Sequence, residues 1–500
     1  MPYRRGGVTP PARVHKNLFG TGDPSPTIKL LASYISVADP KLFIIHYSFP
    51  QGVTDTNRYS LDMTKGPWLK KILIFFLPLM LTGLLQMLYN TADIVVVGRF
   101  AGPASLAAVG ATSSLINLVL NVFLGMAMGS GVMSARYIGA QDDDRLSKCV
   151  HTAMTLSIIC GIGVGFFGYF MSEKLLVLMD SPPDVLPLST KYLQIYFLGA
   201  PASLVYNFGA SIVRSTGDTK RPLYILTGTG FVNVLLNLLL VIVFHMDVAG
   251  VAIATIVSQY ISAVLIVVRL LKIDGGCRLY FKKLKIHGTE LKRILLIGVP
   301  AGLQNSLFSL SNVIIQSTVN SFGSTAMSGI TAGSNFESFV YICTNAIAQT
   351  TMTFSSQNMG ARKYDNLNKI YMRCLVLAFA ISGVMSVLGV IFREQVVGIF
   401  STDPDVIEIG AARLAMILPF YCFCSLMDIA GSQLRGMGRS FEPMFITLMG
   451  SCGLRLLWVF VFFPKNPTLL YLYWAYPISW SITFVVLFVF YFIIKRKYKL

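Results

Sequence analysis

Three carboxylates lie well inside long apolar stretches of this chain: Asp93, Glu337 and Asp428. An ionised side chain in hydrocarbon costs about +2.5 to +3.5 kcal/mol on insertion scales, so it usually faces a polar cavity and has a function. A carboxylate in that setting can load and release a proton or hold a cation. Arg455 is the base that lies well inside such a stretch, and we predict a buried structural ion pair between it and Glu337.

The stretches that carry these side chains are predicted to be membrane-spanning helices. The chain has 500 residues, of which 54% are hydrophobic and 13% charged, with a mean hydropathy of +0.64. A soluble chain carries about 25% charged residues. Alternating ten-residue strands are absent, which excludes an outer-membrane barrel. Each predicted span is long enough to cross a hydrocarbon core of ~30 Å. The twelve spans cover about 72–98, 104–132, 148–171, 187–213, 222–244, 248–271, 291–320, 325–354, 369–392, 405–434, 443–463 and 468–494.

Two halves of the chain repeat each other. The passage RSTGDTKRP at 214–222 returns as RGMGRSFEP at 435–443. The same shift in numbering maps Gly139 onto Gly360, and a shift longer by one position maps Asn90 onto Asn312. A shared offset at separate places indicates an internal duplication. Two similar apolar halves are typical of a secondary transporter with its site between the halves.

The distribution of basic residues predicts the orientation in the membrane. If the first span enters from the cytoplasm, most of the 41 Lys and Arg fall on cytoplasmic connections. Few fall outside, namely Arg99, Lys174, Lys191, Arg393, Arg413 and Lys465. This asymmetry predicts a multi-pass protein of the cell membrane with both termini in the cytoplasm. The basic run 282–285 is expected to face anionic headgroups rather than nucleic acid.

The remaining features exclude several classes of site. Residues 1–62 lack a span or a signal peptide, so we interpret them as a poorly ordered extension. The eight cysteines include no CxxC pair, and the five histidines show no zinc spacing. No Walker A, GxSxG or HExxH motif occurs, so neither a cofactor nor a hydrolytic activity is predicted. The predicted domains after the extension are a first six-helix lobe at 63–271, a basic connection at 272–293, and a second lobe with a basic tail at 294–500.

Several motifs together resemble the multidrug and toxic compound extrusion family, and most closely its prokaryotic branch that includes the DNA-damage-inducible protein F. They are LPLMLTGLLQMLYNTADIVVVGRFAG in the first span, ARYIGAQDDDRL with its counterpart SSQNMGARKYDNL, and the repeated Arg–Gly–Pro passage. The resemblance implies twelve helices in two six-helix lobes that form a V-shaped cavity. It also implies the export of cationic or amphipathic drugs and toxins in exchange for H⁺ or Na⁺ by alternating access.

The resemblance assigns the coupling ion to the first lobe. Asp93 matches the family's coupling carboxylate, with Asn233, Asn237 and Thr255 as its companions. Asn233 and Asn237 share one helix face because they are four residues apart. The family often has Asp at the position of Asn237, so a Na⁺ site built on two carboxylates is in doubt here. Coupling through Asp93 by a proton, or by Na⁺ with amide oxygens, remains open.

The resemblance also suggests residues of the substrate cavity. Gln86 and Asn90 form a polar patch in the first span. Asp428 stands seven residues before Arg435, on roughly the same helix face, and is either a partner for a substrate cation or a structural cap. Some relatives carry a Glu in the seventh span, but the stretch after Pro300 is AGLQNSLFSLSN and contains no acid. A second-lobe Na⁺ site of that kind is therefore not expected, and no firm metal site is predicted.

Two other functions stay open. A flippase for a lipid-linked precursor belongs to the same broad superfamily, but handling a pyrophosphate requires basic residues in the cavity, and only Arg455 lies well inside a span. A polytopic membrane enzyme would need clustered catalytic side chains at a membrane face, which the scattered histidines do not provide. We expect a monomer in the bilayer whose partners are small organic, cationic substrates.

Overall fold

Over its described residues the chain folds into twelve long helices, which confirms the prediction of an all-α polytopic protein with two six-helix lobes. The computed structural model describes residues 60–179, 182–183 and 185–497, and no strand occurs in these ranges. The first half contains α1 Trp68–Val96, α2 Pro103–Ala140, α3 Asp143–Leu178, α4 Leu186–Leu198 with Ala200–Ser215, α5 Lys220–Leu238 and α6 Asp247–Lys272. The second half contains α7 Gly288–Asn320, α8 Ser324–Gly360, α9 Asp365–Ile391, α10 Pro404–Ile417 with Tyr421–Gly436, α11 Phe441–Thr447 with Leu454–Leu457, and α12 Leu469–Tyr473 with Ala475–Lys497.

Ten of the described helices are long and apolar enough to cross a membrane, or eleven if the two parts of α4, bent by 47°, count as one span. The helix that does not pass is α8, although it is 37 residues long. Its polar side chains recur at Asn335, Ser338, Asn345 and Gln349. These spacings of three, seven and four residues place them on one helix face. Helix α8 is less apolar because that face lines an internal cleft.

Several membrane helices pass from α-helical to π-helical geometry within their span. Helix α1 continues as a π-helix over Val97–Ala101, and α5 continues as one over Leu239–Val243. In α11, π-helical turns occupy Leu448–Gly453 and Trp458–Phe462. Wider turns of this kind occur frequently at functional sites.

The duplication is visible in the backbone. Gly102 and Gly323, which occupy equivalent positions in the two halves, precede α2 and α8 with φ values of 86° and 90°. Gly217 and Gly438 are a second matched pair, with φ values of 91° and 87°. Glycine adopts such positive φ angles readily because it lacks a β-carbon. The repeated glycines therefore set the same turns in both halves.

One contact between the halves is nearly symmetrical. Gly139 of α2 packs on the backbone carbonyl of Gln357 in α8, and Gly360 of α8 packs on that of Arg136 in α2. Gly139 corresponds to Gly360 in the duplication, and Arg136 corresponds to Gln357, so the repeat exchanges these two contacts. A β-carbon at either glycine would overlap the opposing carbonyl oxygen. The ends of α2 and α8 thus meet about a pseudo-two-fold axis, as expected for parallel repeats.

Two further contacts between the halves differ from each other. Helices α2 and α7 pack backbone to backbone through Gly125, Gly129, Gly298 and Gly302, and a β-carbon at Gly129 would lie 2.5 Å from the carbonyl oxygen of Ile294. We call this contact the glycine seam. The corresponding contact between α1 and α8 has Ala346 at the position that matches Gly125. There the helices stay farther apart, and a cleft lies between them.

The halves are closed together at the end of the molecule that carries most of the basic side chains, which we call the basic end. Across it, Arg136 donates to the Met437 carbonyl over 3.1 Å, and the Gln357 amide donates to the Ser215 carbonyl over 2.8 Å. Ser356 also donates to the Val132 carbonyl over 2.6 Å. All these bonds join the first half to the second. The structure is therefore closed at the basic end.

A short segment before α1, residues 60–66, packs into this closed end. Leu61 contacts Gly217, and the Met63 carbonyl accepts a hydrogen bond from Asn358 over 2.8 Å. Met63 is fully buried. Partial burial opposes ionisation of Asp62, but hydrogen bonds from Thr64 and nearby lysine charges hold its pKa below the ordinary value. Residues 60–62, which the sequence analysis assigned to the extension over 1–62, thus lie beside the packed helices. Residues 1–59 lie outside the described ranges.

Candidate functional site

A cleft of about 480 Å³ lies between α1 and α8, one helix from each half. Gln86 and Asn90, predicted from sequence to line a cavity, are both in its walls. The cleft extends along α1 from Leu79 to Ile94. Its remaining lining residues are Thr82, Gly83, Met87, Thr91, Arg214, Asn335, Ser338, Tyr341, Ile342, Asn345, Ala346 and Gln349.

Asp93 lies one residue before the end of the cleft lining but turns away from the cleft into the first lobe. Its carboxylate accepts a hydrogen bond from the side-chain amide of Asn237 on α5. The same amide lies 3.4 Å from the Asn233 carbonyl oxygen. Asn233 and Asn237 are 6% and 1% exposed, so the cluster is largely sealed from solvent. The structure therefore brings together three of the four predicted residues of the ion site.

The fourth residue, Thr255, makes a different contact. Its hydroxyl donates to the Val251 carbonyl of its own helix over 2.9 Å, and no hydrogen bond joins it to Asp93 in the described ranges. Tyr192 and Tyr196 of α4 are instead close enough to Asp93 to interact electrostatically with it. Sequence reasoning missed these tyrosines, because aromatic residues in a span give no signal that separates core packing from a site.

Asn237 leaves one atom unsatisfied. Its side-chain carbonyl oxygen is buried and has no hydrogen-bond partner among the described residues. After a flip of the side-chain amide, this oxygen could accept a hydrogen bond from protonated Asp93, or it could coordinate a cation beside the carboxylate. A single carboxylate and amide oxygens suit both H⁺ and Na⁺. Among the described residues, no three His, Cys, Asp or Glu side chains come together to hold a metal ion.

Asp428 does not line the cleft. It lies behind the cleft wall in α10, within electrostatic range of Tyr341 and Arg435, but no hydrogen bond or ion pair to it is found in the described ranges. Arg435 itself donates to the side-chain oxygen of Gln304 over 2.9 Å. The Asp428 carboxylate thus balances the charge of Arg435 at a distance and caps no helix by a hydrogen bond.

The predicted pair of Glu337 and Arg455 is wrong. Glu337 of α8 is bound instead by Arg413 of α10, whose Nε and Nη2 lie 2.7 and 3.0 Å from its two carboxylate oxygens. Arg413 is only 5% exposed. Sequence analysis placed it on the external side because it follows the start of its span closely. In the fold, α10 packs along α8 and brings it opposite Glu337.

Arg455 is held by aromatic rings rather than by a carboxylate. Its guanidinium carbon lies 4.5 Å from the centre of the Tyr476 ring, 5.5 Å from Trp480 and 5.4 Å from Phe308. Its Nε donates to the Ser479 hydroxyl over 3.2 Å, and it is 2% exposed. Cation–π contacts gain strength when the cation is desolvated in this way.

Arg214 is the charged residue of the cleft wall. It lies at the end of α4 beside α8. Its Nη1 donates to the Gln349 side-chain oxygen over 3.2 Å, across the two halves. The polar face of α8 that receives it was readable from the sequence, because Asn335, Ser338, Asn345 and Gln349 recur at helical spacing.

Comparison with known proteins agrees with this architecture. The chain is 27% identical over 85% of its length to the probable multidrug resistance protein YoeA of Bacillus subtilis, of which the match covers 94%. It is 24% identical to an FAD transporter of Shewanella oneidensis, over 74% of this chain and 82% of that protein. A solved transporter of the MOP superfamily from Pyrococcus furiosus superposes with a TM-score of 0.81 at 21% identity, covering 88% of this chain and 98% of that one.

The family model named MatE matches the chain twice, at residues 78–239 and 300–461. The two matches are equally long and are offset by the shift that maps Asn90 onto Asn312, in agreement with the internal duplication. They contain most of the cleft helix α1, the Asp93 cluster and all of α8. This chain belongs to the MatE family of multi-pass membrane transporters.

Proposed function

We propose that the protein exports small amphipathic organic compounds across the cell membrane in exchange for a cation that binds at Asp93, with both termini in the cytoplasm. The observation that carries this proposal is the position of Asp93. It lies on the same helix as Gln86 and Asn90 of the cleft, yet it points to the amides of α5. Binding of an ion at Asp93 can therefore alter the helix that forms one wall of the cleft.

A population shift between two conformations supplies the coupling. When Asp93 is ionised, it accepts the Asn237 hydrogen bond and holds α1 against α5. Neutralising the carboxylate weakens this charge-assisted bond and favours a different packing of α1. An ion that binds the two packings with different affinity shifts the equilibrium between them. The π-helical turns at Val97 and Leu239, directly beyond the site on both helices, provide places where the packing can change.

In the described part of the second half, no carboxylate stands at the position equivalent to Asp93, which is Ile315. When the halves are aligned so that Asn312 corresponds to Asn90, Arg455 stands where the first half has Asn233. Arg455 also contacts Asn312 itself. A resident guanidinium occupies that position permanently. We therefore propose coupling through the first lobe alone. The proton is the favoured ion, because the site contains one carboxylate and no second acid.

The test is transport by the purified protein in proteoliposomes under an imposed pH or Na⁺ gradient. The Asp93→Asn protein should insert and bind substrate but lose gradient-driven transport, because the amide cannot exchange a proton. Asp144→Asn is the control, since Asp144 is an exposed acid paired with Lys148 at the basic end. Export by the Asp93→Asn protein at close to the original rate would show that the coupling site lies elsewhere. Dependence on Na⁺ without a pH gradient would replace the proton with Na⁺.

The names of the relatives do not indicate one common charge for their substrates. They are described as multidrug resistance proteins and, in one case, as an FAD transporter. The sequence predicted cationic substrates by resemblance. The walls of the cleft argue for a different class.

A further inference from the structure

The cleft between α1 and α8 contains no acidic side chain among the described residues that line it. Arg214 is the charged residue of this lining, and it lies at the end of the cleft nearest the basic end. The rest of the polar surface is neutral. It consists of the amides of Gln86, Asn90, Asn335, Asn345 and Gln349 and the hydroxyls of Thr82, Thr91, Ser338 and Tyr341. A volume of about 480 Å³ falls in the range of ~300–1,000 Å³ that is typical of small-molecule sites.

The charge of Arg214 has no counter-ion in the described part of the protein. Its Nη1 is bonded to the neutral side chain of Gln349, and its Nε is buried without a hydrogen-bond partner. No carboxylate of the described ranges lies within ion-pair distance of its guanidinium. A buried charge that lacks a partner is costly to keep. The Tyr206 hydroxyl is also within hydrogen-bonding range of the guanidinium, but it is neutral and supplies no counter-charge. An anionic ligand would supply the missing charge.

Comparison of the two halves shows that the lack of a counter-ion is particular to Arg214. Arg435 is the counterpart of Arg214, and seven residues before it stands Asp428 within electrostatic range. The residue at the matching position in the first half is Asn207, whose amide donates to the Ser203 carbonyl over 2.8 Å. The second half thus keeps an acid near its arginine, whereas the first half has a neutral amide there. The uncompensated arginine is the one that faces the cleft.

We propose that this cleft takes organic anions, with a carboxylate or phosphate group of the ligand seated on Arg214. This assignment rests on the proposed transport function and names its substrate class. A guanidinium presents several donors in a planar fork that matches the oxygens of such groups. The amides of α1 and α8 donate to and accept from the polar body of the ligand, and Met87 and Ile342 contact its apolar parts. Arg214 is the specificity-determining residue of the cleft.

The experiment compares two dyes with a shared xanthene ring system, anionic fluorescein and a cationic rhodamine ester. Their binding to the detergent-solubilised protein is measured by fluorescence polarisation, and their export is then measured in proteoliposomes. The wild-type protein should bind the anionic dye about tenfold more tightly, the preference expected from one charge-assisted contact. Arg214→Gln should lose this preference and Arg214→Lys should keep part of it. Arg145→Gln, which removes an exposed charge at the basic end, should leave it unchanged.

If gel filtration shows that Arg214→Gln fails to fold, dye binding by the wild-type protein still tests whether the cleft prefers anions. Equal or tighter binding of the cationic dye, or binding of neither dye, overturns the assignment. Gradient-driven export of the cation alone overturns it while leaving the proposed transport function intact. Tight binding of the anion without gradient-driven export contradicts the transport function but supports the substrate class. Competition by a soluble organic phosphate and by a short-chain anionic phospholipid distinguishes the two sources of the anion.

Discussion

The buried charged side chains differ in how their charge is balanced. Asp93 is held by a neutral amide, so its charge can change without leaving an opposite charge behind. Glu337 is held by Arg413 through two short hydrogen bonds, which makes ionisation of both groups mutually dependent. Arg455 rests on aromatic faces. Only the first arrangement suits reversible ion binding, because the other two fix the charge permanently.

At the residue scale we predict that Glu337→Gln strongly destabilises the protein. The substitution leaves the Arg413 guanidinium buried without a counter-charge, at a cost of about 3–5 kcal/mol. The midpoint of thermal unfolding in detergent should fall clearly, and the double variant Glu337→Gln with Arg413→Gln should recover much of the loss. Glu442→Gln breaks a partly exposed pair with Arg439 and should cost at most about 1 kcal/mol. Similar unfolding midpoints for Glu337→Gln and Glu442→Gln would show that the buried pair adds no stability.

Helices were easier to predict from the sequence than the contacts between them. Twelve apolar stretches and a repeated passage predict twelve helices in two halves, because both signals are local. The helices nevertheless extend beyond the apolar stretches, and α2 ends at Ala140 rather than near 132. Asn233 and Asn237 could be paired from their spacing on one helix. The partner of Glu337 could not, because it lies on another helix and packing alone decides which base comes opposite. The π-helical turns beside Asp93 have no sequence signature that we could read.

At the level of helix packing, the glycine seam between α2 and α7 is predicted to be essential. A β-carbon at Gly298 would lie 2.5 Å from the Met126 α-carbon and 2.8 Å from the Gly125 carbonyl oxygen. Gly298→Leu should therefore force the helices apart, lower the unfolding midpoint and reduce transport. Gly163→Leu on α3 is the matched control, because nothing lies within 4 Å of a β-carbon there and leucine favours helix over glycine. An unchanged unfolding midpoint for Gly298→Leu would mean that α2 and α7 can separate without loss of stability.

At the scale of the whole molecule, the two halves have similar backbones but differ at key side chains. The contacts of Gly139 and Gly360 repeat each other across the axis. The glycine seam packs backbone to backbone, whereas between α1 and α8 Gly83 packs on the side chain of Ile342. The glycine seam between α2 and α7 can thus stay closed while the contact between α1 and α8 contains the cleft. The titratable residue Asp93 likewise has the apolar Ile315 as its counterpart in the second half. The loss of symmetry leaves the carboxylate of Asp93 in the first half alone at this position and places the cleft between α1 and α8.

The last prediction concerns alternation between two states of the whole molecule. The structure is closed at the basic end, where the Arg136 carbonyl abuts Gly360. Cysteines at Arg136 and Arg362 should therefore react readily with a short bifunctional reagent and hold this state. Cysteines at Gly102 and Ser324, at the opposite ends of α2 and α8, should be linked only when that end closes. Each link should stop gradient-driven transport, but the link at the basic end should leave dye binding to the cleft intact. The reduced or unlinked proteins serve as controls for the substitutions. If transport continues through both links, verified by mass spectrometry, the halves do not rock about the seam and substrate passes by another route.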